Sequence, residues 1–476
     1  MRRMAPVATI QNPNHRILLS KSLPLAHNRN RALHTRGTAS PISLSQRPLR
    51  YAVLGAGFGG LSVAWHLLNQ SSKELGLHID IYDEVGIGGG ASGVSGGLLH
   101  PYSPKGKLLW RGAECWNECL KLLSIAEEAV APNFNGFIVR RRGILRPAMS
   151  LKNLLILNDN AQNCLASCRI ETLDQDAAQN LVPSLCLPFN SAFYMPEAVN
   201  IHPQRYLQAL FLACENLVKE LSTSGFGVKE LRLHKKSIHK LLDFEELPEV
   251  VDHCLFDSPN KFNQLEIGFL KTRLFPITFN PEWEYDAVVV CLGANADLLP
   301  ELSGRLPLRT CRGVVAHLQL PDDTGEDYPD HGPSILSDAW LAFQGPRGLC
   351  MGSTWEWKSR NSSPNVSVDE SSSALQELVP KATMVYPAIK DWTFTGAKAG
   401  LRAMPPLTPH GSLPLLGCIN DVIGGNYACK YWLFGGLGSR GLLYHGWLGK
   451  LIAQAMLSSN EELIPTELTS WKKIKQ

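Results

Sequence analysis

No aspartate or glutamate occurs before Glu74 in this chain of 476 residues. Over the same stretch stand Arg2, Arg3, Arg16, Lys21, Arg29, Arg31, Arg36, Arg47 and Arg50, separated by Ser, Thr, Pro and Asn. The continuous apolar core of a secretory signal is missing there as well. A leader that is basic, hydroxyl-rich and free of acids has the composition of an organelle transit peptide. Residues 1–49 are therefore expected to be a disordered leader directing the chain to a chloroplast or a mitochondrion. Subtracting its nine charges, counted through Arg50, from the net +3 leaves −6 for the remainder. A mildly acidic body is not that of a bulk nucleic-acid binder.

Other absences narrow the chemistry. No uninterrupted apolar run reaches the roughly 18 residues of a membrane-spanning helix, so no membrane association is expected. The spacings H-E-x-x-H and that of the P-loop do not occur, which removes zinc-protease and nucleotide-kinase readings. Twelve cysteines are present, yet none shows C-x-x-C or zinc-ribbon spacing. They read as reduced, buried small hydrophobes, and no metal site is expected.

What is present is organised around Tyr51–Leu68, YAVLGAGFGGLSVAWHLL. A short apolar run breaks into glycines, after which Leu61, Ala64, Trp65 and Leu68 recur at helical spacing. Gly55, Gly57 and Gly60 occupy the G-x-G-x-x-G positions: one for the tight turn, one for close approach of a pyrophosphate, one for helix–strand packing. The free N–H groups at the helix start suit phosphate oxygens. The alternating run Leu77–Tyr82 reads as the second strand and ends at Asp83-Glu84, about 20 residues on, where a dinucleotide site places its ribose-binding acid. Asp83, closing the strand, is the better placed of the two.

Farther on, residues 86–101 hold many glycines, read as backbone lying against a large planar group. A helical pattern covers Trp110–Ala129. Val139–Arg146 reads as a strand whose arginines form a solvated face, and a Pro-started helix follows over Gln204–Leu221. Residues 232–284 suggest a β-meander with an insertion. Val288-Val289-Val290 is a parallel strand buried on both faces, with Gly293 delivered to the sheet crevice. Strands are expected near Gly313–Val315 and Cys350–Thr354, then Gly400-Leu401-Arg402 and Leu413–Gly417. Trp432–Leu443 repeats the strand, glycine turn and helix.

These segments in this order resemble the D-amino-acid oxidase/glycine oxidase class of FAD-dependent amine oxidoreductases: GAGFGG with Asp83, GGGASG at 88–93, VVVCLGA at 288–294, GLR at 400–402 and GLGSRGL at 436–442. The resemblance covers nearly the whole chain after residue 50. Within the class it is nearest to the C-terminal oxidoreductase half of the bacterial bifunctional enzyme that builds methylaminomethyl-2-thiouridine in tRNA. The shared marks are GASG followed by Leu98–Tyr102, MGSTWE at 351–356 and LGSRGL at 437–442. The methyltransferase half has no counterpart here.

The resemblance implies an α/β fold with a discontinuous Rossmann-like FAD-binding domain (50–125, 195–305 and 395–476) and an inserted β-rich, α+β substrate domain (126–194 and 306–394). It implies noncovalent FAD, because the 400–405 segment lacks the cysteine of covalently flavinylated relatives. Cofactor contacts fall on Gly55, Gly57, Gly60, Asp83, Glu84, Ala91, Ser92, Gly97, Leu98, Gly293, Gly438, Ser439 and Gly441. Arg402 matches the position that grips a substrate carboxylate, a task suited to a planar, permanently charged guanidinium. Arg440 serves flavin or substrate, and His100 either lines the ring or packs as an ordinary imidazole. Trp355 and Tyr444 are by default core aromatics.

The function implied is oxidation of a C–N bond in a glycine-like amine with oxygen as acceptor. The amine is either the carboxymethylaminomethyl group of a tRNA wobble uridine or a free molecule such as glycine, sarcosine or a D-amino acid. A flavin-binding scaffold without turnover is the reading from outside enzymology, and an intact Arg402 speaks against it.

Overall fold

A computed structural model describes residues 47–130, 136–223, 227–241, 285–322, 327–425, 427 and 429–474. The leader up to residue 46 and the expected meander beyond residue 241 lie outside the described residues. Arg47, counted with the leader above, pairs with Asp286 at 2.6 Å, and the first strand starts at Leu49.

Six strands make the central sheet, in the order Leu415–Cys418, Lys430–Gly435, Ala287–Val290, Leu49–Leu54, Leu77–Tyr82 and Lys229–His234. All pairings are parallel except the first, which is antiparallel. Ala287–Val290 is buried throughout, as a strand covered on both faces must be.

The helix Phe58–Gln70 follows the first glycine turn and crosses the last long helix, Gly441–Ser458. The two approach closely because one partner is glycine: a Cβ on Gly449 would lie 2.1 Å from Ser62 Oγ. Ser62 Oγ in turn donates to the His445 carbonyl at 2.8 Å. The two glycine-turn units, far apart in sequence, are thereby locked into one body.

At the C-terminal end of the Phe58–Gln70 helix, buried Lys229 donates to Ser71 Oγ at 2.8 Å and to the carbonyls of Ser72 and Leu75 at 2.8 and 2.6 Å. The cation satisfies acceptors of the loop that follows the helix, and its place beyond the helix C-terminus complements the helix dipole.

A second, nine-stranded sheet is built around the long antiparallel pair Arg309–Gln319 and Thr393–Met404. It continues through Gly348–Gly352, Trp340–Phe343, Ser334–Ile335, Ile144–Pro147, Ala192–Met195 and Glu171–Leu173. Glu356–Trp357 is a short edge strand on Arg309–Gln319. The glycine-rich segment packs on this second sheet where Gly400 faces Ala91, whose Cα would be 2.9 Å from a Cβ at that glycine.

The arginine-rich run near residue 140 does not form a solvated face. Arg140 is buried and donates to the carbonyls of Gly332 and Asp330 at 3.0 and 2.7 Å. Arg146 turns inward as well. Only Arg141 and Arg142 are exposed, paired with Glu127 and Asp330. The alternation fails because Gly143, at φ +76°, breaks the strand and resets its phase.

Candidate active site

A cavity of about 1340 Å³ runs between the two sheets, larger than the roughly 300–1,000 Å³ that one drug-sized ligand occupies. Of the sixteen residues singled out from the sequence, all but Gly60 line it. Gly60 does its work one layer back, where a Cβ would stand 1.8 Å from the Gly55 carbonyl oxygen. Its task is helix–strand packing alone.

At one end lies the glycine turn. Gly55 sits at φ +104°, where a Cβ would also come within 2.6 Å of the Cys291 carbonyl. The Phe58–Gln70 helix starts at Gly57 without a side-chain cap. Ser92 Oγ accepts from the Phe58 N–H at 3.1 Å, tying the second glycine segment to the first. Asp83 is more occupied than its assigned ribose role suggests. Its carboxylate accepts from the N–H groups of Ala56, Val85 and Gly86 at 2.8, 3.1 and 2.8 Å. Glu84 beside it is exposed to the cavity, so Asp83 shapes the turn and Glu84 offers the more open oxygens.

The glycines of 86–97 have a different cause from the one expected. Most are required by the protein's own packing: a Cβ on Gly93 would lie 2.1 Å from the Gly88 carbonyl, and one on Gly97 would lie 1.9 Å from that of Ile201. Gly90 alone in this run has nothing within 4 Å of such a Cβ. The loop is compact by itself and presents one open wall, Ala91–Leu98, to the cavity.

At the other end stand three guanidinium groups. Arg402 is opposite Cys311 in the long strand pair, and its group fits because the neighbouring position is Gly313, whose Cβ would be 2.6 Å from Nη2. It donates to the Thr354 carbonyl at 3.0 Å, to the Cys311 carbonyl through Nε at 3.3 Å and to Ser353 Oγ through Nη1 at 3.3 Å. One face lies 3.9 Å from the Trp355 ring centroid. Among the described residues no carboxylate pairs with it, so the group is held in place with its charge uncompensated.

Arg440, half-buried at the start of the last helix, makes no side-chain hydrogen bond or ion pair among the described residues, and burial lowers its pKa. Arg146 is pushed down to about 10, first by burial and then by the charge of Arg440. Burial and the same two guanidinium groups hold His100 well below its ordinary range. Neutral His100 takes the Tyr102 N–H on Nδ1 at 3.2 Å, which leaves Nε2 as the N–H donor.

Sequence reasoning missed Arg146 as a wall residue, since only the phase reset at Gly143 turns it inward. Trp355 is no core aromatic: it is 46% exposed and lines the cavity, whereas Tyr444 is buried. Cys291 is the one cysteine in the cavity wall among the described residues, and burial raises its thiol pKa. No group of metal-ligating side chains occurs among the described residues, and no helix among them is long and apolar enough to cross a membrane.

The donors fit a flavin dinucleotide: an uncapped helix start, an acid after the second strand, an open glycine wall and cationic groups at the far end. The family model described as DAO, FAD dependent oxidoreductase, matches residues 50–224 and 270–455. The chain belongs to this family. No curated protein matches it in sequence.

Among solved structures, glycine oxidase from Geobacillus kaustophilus is similar with a TM-score of 0.61 at 17% identity, covering 88% of this chain and 99% of that one. Iminodiacetate oxidase from Chelativorans sp. BNC1 reaches 0.60 at 17% identity, covering 88% and 98%. L-α-glycerophosphate oxidase from Mycoplasma pneumoniae, solved with FAD bound, reaches 0.55 at 13% identity, covering 87% and 95%. At such identities the likeness is one of fold. This FAD-dependent oxidoreductase thus has the α/β architecture expected from its sequence, a nucleotide-binding sheet joined to a β-rich second sheet.

Proposed function

We propose that this FAD-dependent oxidoreductase oxidises a C–N bond in an amine bearing a carboxylate. The observation that carries the reading is Arg402, fixed by backbone carbonyls in the cavity wall with no acid to neutralise it. A half-buried cation of that kind calls for an anionic ligand. The FAD this cavity would hold would supply the hydride acceptor for the carbon next to the amine nitrogen.

The protein's part is to hold that carbon in place. Arg402 grips the carboxylate, Trp355 covers the guanidinium face, and neutral His100 offers Nε2–H without adding charge. Gly55, Gly57, Glu84, Ala91, Ser92, Gly293 and the Gly438–Gly441 turn hold the cofactor, noncovalently, since residues 400–405 contain no cysteine. Oxygen is the acceptor.

The specific amine we favour is the carboxymethylaminomethyl group of a tRNA wobble uridine, whose oxidation and hydrolysis release glyoxylate. The sequence resemblance over 98–102, 351–356 and 437–442 supports it, and Lys105, Lys152 and Lys236 in the cavity wall suit an anionic substrate. The second reading is a small-molecule amine oxidase, in keeping with what the glycine and iminodiacetate oxidases are named for.

Anaerobic mixing of the purified yellow protein with glycine, with sarcosine or with tRNA carrying the group tests both. Bleaching of the flavin absorbance by the tRNA, with glyoxylate formed, is expected. Bleaching only by free amino acids would replace the first reading with the second. Loss of colour with dithionite but with none of these amines would remove both.

The leader is proposed to carry the chain into an organelle. Fused to a fluorescent reporter, residues 1–50 should bring it to mitochondria or plastids; a reporter left diffuse in the cytosol would end that reading.

A further inference from the structure

Beside the cavity mouth, the short edge strand Glu356–Trp357 and the residue just before it supply two tryptophans that the enzyme's core does not use. Trp355 and Trp357 are each 46% exposed, although tryptophan is among the most highly buried residue types on average. Two residues apart on extended chain, they share one face, while Glu356 points to the other. Their rings lie 5.8 Å apart at 28°.

Each ring is backed by a guanidinium. Arg402 lies 3.9 Å from the Trp355 centroid, and Arg309 lies 5.1 Å from that of Trp357. The order Arg402, Trp355, Trp357, Arg309 therefore runs as one ladder from the cavity wall to the protein surface. Arg309, Lys358 and Arg360 are exposed, and no ion pair or side-chain hydrogen bond among the described residues engages them. The segment 355–361, WEWKSRN, contains no aliphatic side chain.

We propose that Trp355 and Trp357, flanked by Arg309, Lys358 and Arg360, form a stacking platform for unpaired RNA bases at the mouth of the cavity. The proposal rests on the tRNA reading of the substrate and says where its body lies once the carboxylate is on Arg402. Exposed indole faces interleaved with unpaired cations are what single-stranded nucleic acid uses, bases on the rings and phosphates on the cations. The acidic net charge of the mature body is no obstacle, because a local cationic strip of this kind needs to serve only a few nucleotides.

The test uses the flavin-loaded full protein and a labelled RNA hairpin with a uridine-containing single-stranded loop. A fully paired duplex of equal length is the comparison, and anisotropy is the readout. The wild type should prefer the looped RNA. Trp357→Ala should weaken that binding about tenfold or more, and Trp357→Phe should keep most of it. Arg309→Ala should lower both affinity and salt dependence, which keeps the test decisive if Trp357→Ala loses its flavin.

No binding by the wild type, equal binding of loop and duplex, or an unchanged Kd in Trp357→Ala and Arg309→Ala would each overturn the platform. Flavin bleaching by the modified tRNA, measured on the same proteins, separates the two ideas. Bleaching that survives without a platform leaves the substrate reading standing. Loop-selective binding without bleaching removes the substrate reading and leaves the binding surface.

Discussion

Arg402→Leu should give a folded, yellow protein whose kcat/KM on its carboxylate-bearing amine falls by roughly two decades or more. A hydrogen bond to a charged group contributes about 1.5–3 kcal/mol, and every 1.4 kcal/mol is tenfold. A carboxylate held by two such bonds therefore accounts for about two to four decades. Leucine also leaves the carbonyls of Cys311 and Thr354 without their donor, so flavin content and thermal stability must be measured beside the kinetics. Equal gripping in ground and transition states places the loss in KM; an orienting role carries it into kcat as well. Undiminished kcat/KM would make Arg402 a structural bridge between the strands Arg309–Gln319 and Thr393–Met404. Arg440, which makes no side-chain hydrogen bond or ion pair among the described residues, would then become the first candidate for the anion.

Gly57→Val should be folded and colourless. Gly57 lines the cavity, and a Cβ there would already lie 2.8 Å from Ser92 Oγ. Two further methyl groups would displace Ser92 from the Phe58 N–H and enter the space before the uncapped helix start. Overpacking of this order costs about 1–3 kcal/mol, roughly a tenfold to hundredfold loss of cofactor affinity, and obstruction of the phosphates adds to it. Gly60→Val provides the contrast: its Cβ would collide with backbone at 1.8 Å, so the expected result is loss of fold rather than loss of colour. The readouts are the flavin-to-protein absorbance ratio after gel filtration and the far-ultraviolet dichroism. Stoichiometric flavin in folded Gly57→Val would sink the placement of the cofactor.

Much of this molecule was determined by sequence alone, wherever a local pattern has only one physical solution. A strand, a glycine turn and an amphipathic helix can hardly be arranged otherwise, so Leu49–Gln70 and Lys430–Ser458 were legible as units. The valine run 288–290 had to be a buried parallel strand. The spacing of the acid pair after Leu77–Tyr82 was equally plain. Tertiary structure alone decided which neighbour each charged or aromatic side chain meets. Asp83 turned out to serve three backbone N–H groups because the turn folds back over it. Gly88, Gly96 and Gly97 are demanded by Gln204, Trp340 and Ile201, residues more than a hundred positions away. Arg146 entered the cavity because Gly143 reset the strand, and Arg402 did so because Gly313 left room across the sheet. Trp357 lies on the surface because its strand is an edge. Periodicity specifies which face a residue occupies within its own element; what lies against that face depends on contacts between distant segments, and no local pattern encodes them.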